Sequence, residues 1–275
     1  MTLKPKHQTK LALWIILLST TLAANAQKLP GVQTTSLHAP ATVKIDGKAT
    51  EWNDQLQAYN TNTNIYYSIA NDANNLYITF RATDQVIMRK IINNSFTFII
   101  NNLADKTPLI ISLPIFSASD KNDLSRTLYN KKGFNTDDVI KSTDSLVLMM
   151  NQKLEKGKEI KLSGFNGITD PAISVYNEYG IKSKGLFDSN KALTYELAIP
   201  RKYINLTSNK LNYTIRLNGL EENTDKNVTV QTSPDGQATI STNSVTGSIS
   251  VRRNSPETLI ETTATNFSGE YELAK

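Results

Sequence analysis

The chain has 275 residues, with 30 Lys and Arg against 25 Asp and Glu for a net charge of +5, two tryptophans, two histidines and no cysteine. The missing cysteine excludes disulfides, thiol nucleophiles, thiolate metal sites and a lipidated Cys, so stability must come from an ordinary apolar core, which a chain of this length can supply. No G-x-S-x-G elbow, glycine-rich phosphate loop or helical His pair occurs, which removes the commonest signatures of hydrolase, nucleotide and zinc chemistry.

The first element is a leader. Lys4, Lys6 and Lys10 precede an uncharged run from Leu11 to Ala26 that is too short to span a bilayer comfortably and ends in Ala24-Asn25-Ala26. This pattern predicts a secretory signal peptide cut between Ala26 and Gln27, an exported product (periplasmic or extracellular) and no transmembrane segment after cleavage. Removing the leader takes away three of the 30 basic residues and no acid, leaving 27 against 25 and a net charge of +2. The basicity thus belongs to export, and the body of the chain offers no electrostatic case for nucleic-acid binding. Of the histidines only His38 remains, which disfavours His-based zinc sites and a Ser-His-Asp triad.

Residues 27–41 show no periodicity and hold Pro30 and Pro40, which predicts an extended lead-in linker to a single domain spanning 42–275. Val43 and Ile45 alternate with polar neighbours as a first strand, closed by the turn signal Asp46-Gly47. The clearest local pattern is a hairpin. Ile65, Tyr67 and Ile69 share a face with Leu76, Ile78 and Phe80, while Tyr66, Ser68, Tyr77, Thr79 and Arg81 look the other way, across an Asn/Asp-rich turn at 71–75. Further alternating runs lie at 96–100, 193–197 and 211–217, each followed by a breaker, and 159–162 and 173–176 are additional strand candidates.

Apolar residues between 117 and 156 (Leu124, Leu128, Val139, Leu146, Val147, Met150, Leu154) recur at helical spacings. They predict a helical insertion packed on one side, with helices starting near Ser119 and Thr136. Residues 221–256, rich in Thr, Ser and Asn, read as a long solvated hairpin or loop, and 265–274 as a terminal strand. Short half-buried strands without βαβ alternation predict an all-β, antiparallel β-sandwich, jelly-roll-like, carrying the helical insertion.

Lys44-Ile45-Asp46-Gly47-Lys48, then Glu51-Trp52, then Asn71-Asp72 and Asn75-Leu76-Tyr77-Ile78, resemble the N-terminal half of family 9 carbohydrate-binding modules. Later strings, among them Tyr195-Glu196-Leu197-Ala198-Ile199-Pro200, are similar to secreted bacterial proteins of the same superfamily. The resemblance implies a β-sandwich that grips sugars between aromatic rings and contains structural calcium. Asp46, Gly47, Glu51, Trp52, Leu76 and Tyr77 occupy its motif positions, and Asp46, Glu51, Asp72 and Asp84 are the carboxylates that would offer calcium its oxygens. Those carboxylates have a competing role as turn formers.

A sugar clamp of two tryptophans is not available, because the only Trp beyond the leader is Trp52, read as scaffold. Tyrosine must then supply the stacking face. The candidates are Tyr176 and Tyr179, which flank Asn177 and Glu178, then Tyr66 and Tyr77, with Tyr59 and Tyr129 behind them; on the hairpin, packing under the helical insertion competes with binding. Glu178 with Glu196 is the pair to inspect for glycosidase chemistry, though nothing distinguishes it from other acids, and the chain reads as non-catalytic. The leading expectation is weak glycan binding. The alternatives are a cell-envelope interaction or structural protein with an envelope protein as partner, and a glycoside hydrolase-associated protein.

Overall fold

The alternating runs at 65–71 and 75–82 pair as predicted. Strands β2 (Ile65–Asn71) and β3 (Asn75–Ala82) form an antiparallel hairpin with Tyr67 opposite Phe80 and Ile69 opposite Ile78. Its turn is made by Asp72, whose Oδ1 accepts the amide N–H groups of Asn74 and Asn75 at 2.7 Å each. The computed structural model describes residues 28–101, 103–104, 106–129, 136–220, 228–232, 237–242, 251–252 and 256–275. The segment expected to be a leader and its expected cut site lie outside them, as does the side chain of Tyr129.

Around the hairpin, β1 (Ala58–Asn60), β9 (Leu193–Pro200) and β8 (Lys182–Phe187) complete a five-stranded sheet in the order β1-β2-β3-β9-β8. A second sheet has the order β14-β10-β4-β5-β6-β7. Its strands are β4 (Phe96–Ile100), β5 (Leu109–Ile115), β6 (Glu159–Ser163), β7 (Ala172–Ser174), β10 (Lys210–Leu217) and β14 (Thr265–Glu272). All pairings are antiparallel, and the two sheets enclose one apolar core, so the fold is an antiparallel β-sandwich. Across it Phe80 stacks on Phe96 with ring centroids 3.9 Å apart, and the hydroxyls of Tyr67 and Tyr213 meet at 2.8 Å.

The helical insertion falls where periodicity placed it, as α2 (Ala118–Tyr129) and α3 (Thr136–Leu154). Two further helices carry no expectation from the sequence reading, α1 (Gln85–Asn94) and α4 (Pro256–Thr262). Asp84 caps α1 by accepting the N–H groups of Val86 and Ile87 on its Oδ1, and Ile87, Met88, Ile91 and Ile92 point into the core. Arg89 pairs with Glu261 of α4 at 2.7 Å (Nε to Oε1), and Lys90 reaches Thr265 Oγ1, which ties α1 to the C-terminal strand. Asp84→Ala is expected to cost about 1 kcal/mol of stability, read as a lower urea midpoint at unchanged slope.

Three local expectations change. The strand expected at 42–45 is not a strand: Val43 and Ile45 lie half-buried in a loop over the hairpin's outer face. That face carries Tyr66, Ala70 and Tyr77, and it is covered by residues 37–57, with Ala39, Ala49, Trp52 and Leu56 packed on it, rather than by the helical insertion. The insertion instead lies along the edge strand β8, where Asn151 accepts from Phe187 N–H at 2.8 Å and donates to Phe187 C=O at 3.0 Å.

The lead-in 27–41 is built into the sandwich over its described part. Gln33 is 3% exposed, and its carboxamide accepts from Ile69 N–H at 2.7 Å and donates to Ile69 C=O at 2.8 Å, continuing the edge of β2 beyond the end of β1. In the Thr- and Ser-rich stretch, β11 (Val228–Thr232), β12 (Gln237–Thr242) and β13 (Val251–Arg252) form a separate three-stranded sheet.

Candidate functional site

After β7 the chain turns tightly. Ser174 Oγ accepts Tyr176 N–H at 3.1 Å, and Asn177 Nδ2 donates to the carbonyls of Ser174 and Ile181 at 2.8 and 2.7 Å. A turn fixed at both ends cannot fold its tip back onto the sheet, and Tyr176 projects from it with 80% of its surface exposed. Beside it runs an open groove of about 440 Å³ between the end of α3, the start of β6 and the edge strand β8. Lys158, Lys182 and Lys184 line it together with Glu155 and Glu159, and Lys184 Nζ pairs with Glu155 at 3.0 Å. Asn177 Oδ1 is shielded from solvent, with no hydrogen-bond partner. Below, Tyr195 is buried under Gly185, where a Cβ would meet its ring at 2.4 Å, and burial pushes its phenol far above the ordinary value.

The expected quartet therefore divides. Tyr176 and Asn177 line the groove; Glu178 is exposed outside it, and Tyr179 turns inward against the main core, its carbonyl accepting from Tyr203 Oη. Tyr77 is withdrawn from solvent, donating its hydroxyl to Asp72 Oδ2 at 2.8 Å; burial and this carboxylate push it up to about 12. Burial works against ionisation of Asp72 as well, yet the Tyr77 hydroxyl and the amides of Asn74 and Asn75 outweigh it and hold the carboxyl below its usual value. Trp52 is 7% exposed and donates Nε1–H to Thr79 Oγ1 at 2.9 Å, and Leu76 is core, so both are scaffold.

Tyr66 is half-buried and lies 4.6 Å, centroid to centroid, from Tyr59. It borders a second groove of about 560 Å³ with Gln55, Gln57, Thr83 and the Arg81–Asp54 ion pair.

The four carboxylates considered for calcium each serve the local chain. Asp46 Oδ1 accepts Lys48 N–H, Glu51 accepts from Thr50 Oγ1, Asp72 makes the hairpin turn and Asp84 caps α1. Asp72 and Asp84 sit at opposite ends of β3, about 25 Å apart by strand rise. Among the described residues no group of three His, Cys, Asp or Glu side chains converges to hold a metal ion.

Glu196 sits elsewhere than Glu178. It is 1% exposed on the outer face of β9, and its Oε2 accepts the amide N–H groups of Asp46 and Gly47 at 3.0 Å each, while Oε1 is buried with no partner. Burial pushes this carboxyl up to about 7, with Glu51 and Asp46 adding repulsion and the two amide bonds partly opposing the rise. Gly47 has φ +87°, and a Cβ there would meet Leu186 and the Gly185 backbone at 2.8–2.9 Å, so the Asp46-Gly47 turn fits over β8 and β9 only with glycine.

Sequence reasoning missed the groove's lysines and Glu155. Lysine on an edge strand or at a helix end has no signature that separates a binding role from solvation, and the β8 run containing Lys182 and Lys184 does not alternate cleanly. No family model, curated protein or solved structure matches the chain.

Proposed function

We propose that this chain is an exported, non-catalytic carbohydrate-binding protein that holds glycans weakly in the groove beside Tyr176, as the likeness to family 9 modules implies. The observation that carries this reading is the exposed Tyr176 ring at the mouth of a groove lined by lysines, carboxylates and Asn177. A pyranose offers an apolar C–H face to an aromatic ring and hydroxyls to polar neighbours, and this groove has both kinds of partner. An open site with one stacking ring fits micromolar to millimolar affinity, roughly −4 to −8 kcal/mol.

In affinity electrophoresis against soluble plant and microbial polysaccharides, the wild type is expected to be retarded by at least one of them. Tyr176→Ala should weaken that retardation about tenfold, the equivalent of about 1.4 kcal/mol. Tyr179→Ala should act mainly on stability, since that ring packs inward. Wild-type migration unchanged in every gel, or undiminished retardation of Tyr176→Ala, rejects the reading.

A second reading, an envelope protein that docks a protein partner, rests on Leu148 and Met149 of α3, which are 61% and 39% exposed. It requires that Leu148→Asp abolish co-purification of a specific envelope protein while glycan retardation stays as in the wild type.

A further inference from the structure

The outer face of the six-stranded sheet carries a polar row that core packing does not use. Arg216, Thr97, Ser112 and Lys161 stand opposite one another across β10, β4, β5 and β6, while the alternate residues Phe96, Phe98, Leu113 and Leu162 fill the core. At one end of this row the last turn of α1, the first turns of α2 and the loop after β10 enclose a trough of about 660 Å³. Leu113 and Ile160 face the groove beside Tyr176, whereas Ser112 and Lys161 face the trough, so the two lie on opposite sides of the β5–β6 ribbon.

Ser112 and Asn218 line the trough and are joined behind it through the buried Thr97: Thr97 Oγ1 and Ser112 Oγ are 2.8 Å apart, and Asn218 Nδ2 donates to Thr97 Oγ1 at 2.9 Å. Asn93, Asn94 and Asn122 wall it; Asn94 uses one amide proton on Glu261 C=O, and Asn93 Oδ1 accepts from Ser125. A carboxamide both donates and accepts, as does a sugar hydroxyl, so a cluster of four matches a polyol better than it matches a bare ion. Lys161 is exposed at the trough with no carboxylate partner among the described residues. Lys121 donates to Asn93 C=O at 2.7 Å, and the acid among the described lining residues, Glu261, is held by Arg89, which also meets Glu257 at 3.5 Å.

We infer that this trough binds a sugar unit bearing an anionic group, a carboxylate or a sulfate. The asparagines engage its hydroxyls and Lys161 engages the anion. This site is separate from the groove beside Tyr176 and does not depend on it.

The test is calorimetric titration of the full chain at low salt with D-glucuronate, D-glucose 6-sulfate and D-glucose, with acetate and inorganic sulfate as controls. At least one anionic sugar should bind ten or more times tighter than glucose and than the matching simple anion, and the tighter of the two identifies the anionic group. Lys161→Gln should weaken that binding at least tenfold, Asn218→Ala should weaken it as well, and Tyr176→Ala should leave it unchanged. Lys161 is exposed, so its variant keeps the wild-type melting temperature and reports on binding alone. Anionic sugars that bind no better than glucose, simple anions that bind as well as the sugars, or wild-type affinity in Lys161→Gln would each overturn the assignment. A loss caused by Tyr176→Ala would place the ligand in the other groove.

Discussion

Glu196→Gln is expected to raise the melting temperature at pH 8 by roughly 6–12 °C and to change it little at pH 4. The folded carboxyl holds its proton up to about 7, against an ordinary value of 4.5, because it is buried beneath the Asp46-Gly47 turn beside Glu51 and Asp46. For a group whose pKa is raised by folding, the protonated form is the one the fold favours. Its contribution is complete below about pH 4.5 and is lost as the pH climbs through 7. A difference of about 2.5 units corresponds to about 3 kcal/mol. Glutamine keeps a carbonyl oxygen for the amides of Asp46 and Gly47 but has no proton to lose. The measurement is a set of urea titrations from pH 4 to pH 8: wild-type stability should fall across that range and the variant should stay nearly level. Parallel pH profiles for the two proteins would show that Glu196 does not titrate in this window.

Gln33→Ala should destabilise the fold by about 2–5 kcal/mol, more than most single surface changes. The carboxamide of Gln33 is the partner of both polar groups of the Ile69 peptide, and truncation leaves a buried donor and a buried acceptor unsatisfied together. The backbone amide of Gln33 also donates to Tyr67 Oη at 2.9 Å, the hydroxyl that meets Tyr213 across the sandwich, so the segment's anchorage reaches the contact between the two sheets. Urea unfolding checks the magnitude. Gln33→Glu, which can accept from Ile69 N–H but cannot donate to its carbonyl when ionised, should also fall below the wild type at neutral pH.

The parts of the fold legible in the sequence are those where side-chain period and burial agree. Ile65, Tyr67 and Ile69 alternate into one core, and Leu124 and Leu128 recur one helical turn apart, so the hairpin and α2 could be placed from spacing alone. Helix α1 escaped notice because its run Val86-Ile87-Met88 is as apolar as a strand, and only the Asp84 cap marks its start. Strand β8 escaped because Lys182-Ser183-Lys184-Gly185 has one face against Tyr195 and an edge against α3, which removes the alternation a half-buried strand would show. At the candidate site, the tyrosines could be read as residue types but their directions could not. Tyr176 and Tyr179 are three apart in a turn, and whether either points outward is decided by the Ser174 and Asn177 hydrogen bonds. The trough behind β5 and β6 draws on five separate segments, and no local pattern connects Asn93 with Asn122 and Asn218.

The side-chain amide of Asn151 on Phe187 bears on how copies of this protein meet one another. Strand β8 is an outermost strand, and an unpaired peptide there is a template onto which a strand from another molecule can add. Asn151 occupies both the donor and the acceptor of the Phe187 peptide from a helix, an element that offers no further strand edge. The helical insertion thereby covers this end of the β8 edge, and Asn151→Leu, which uncovers the Phe187 peptide, is expected to increase self-association, read by sedimentation velocity.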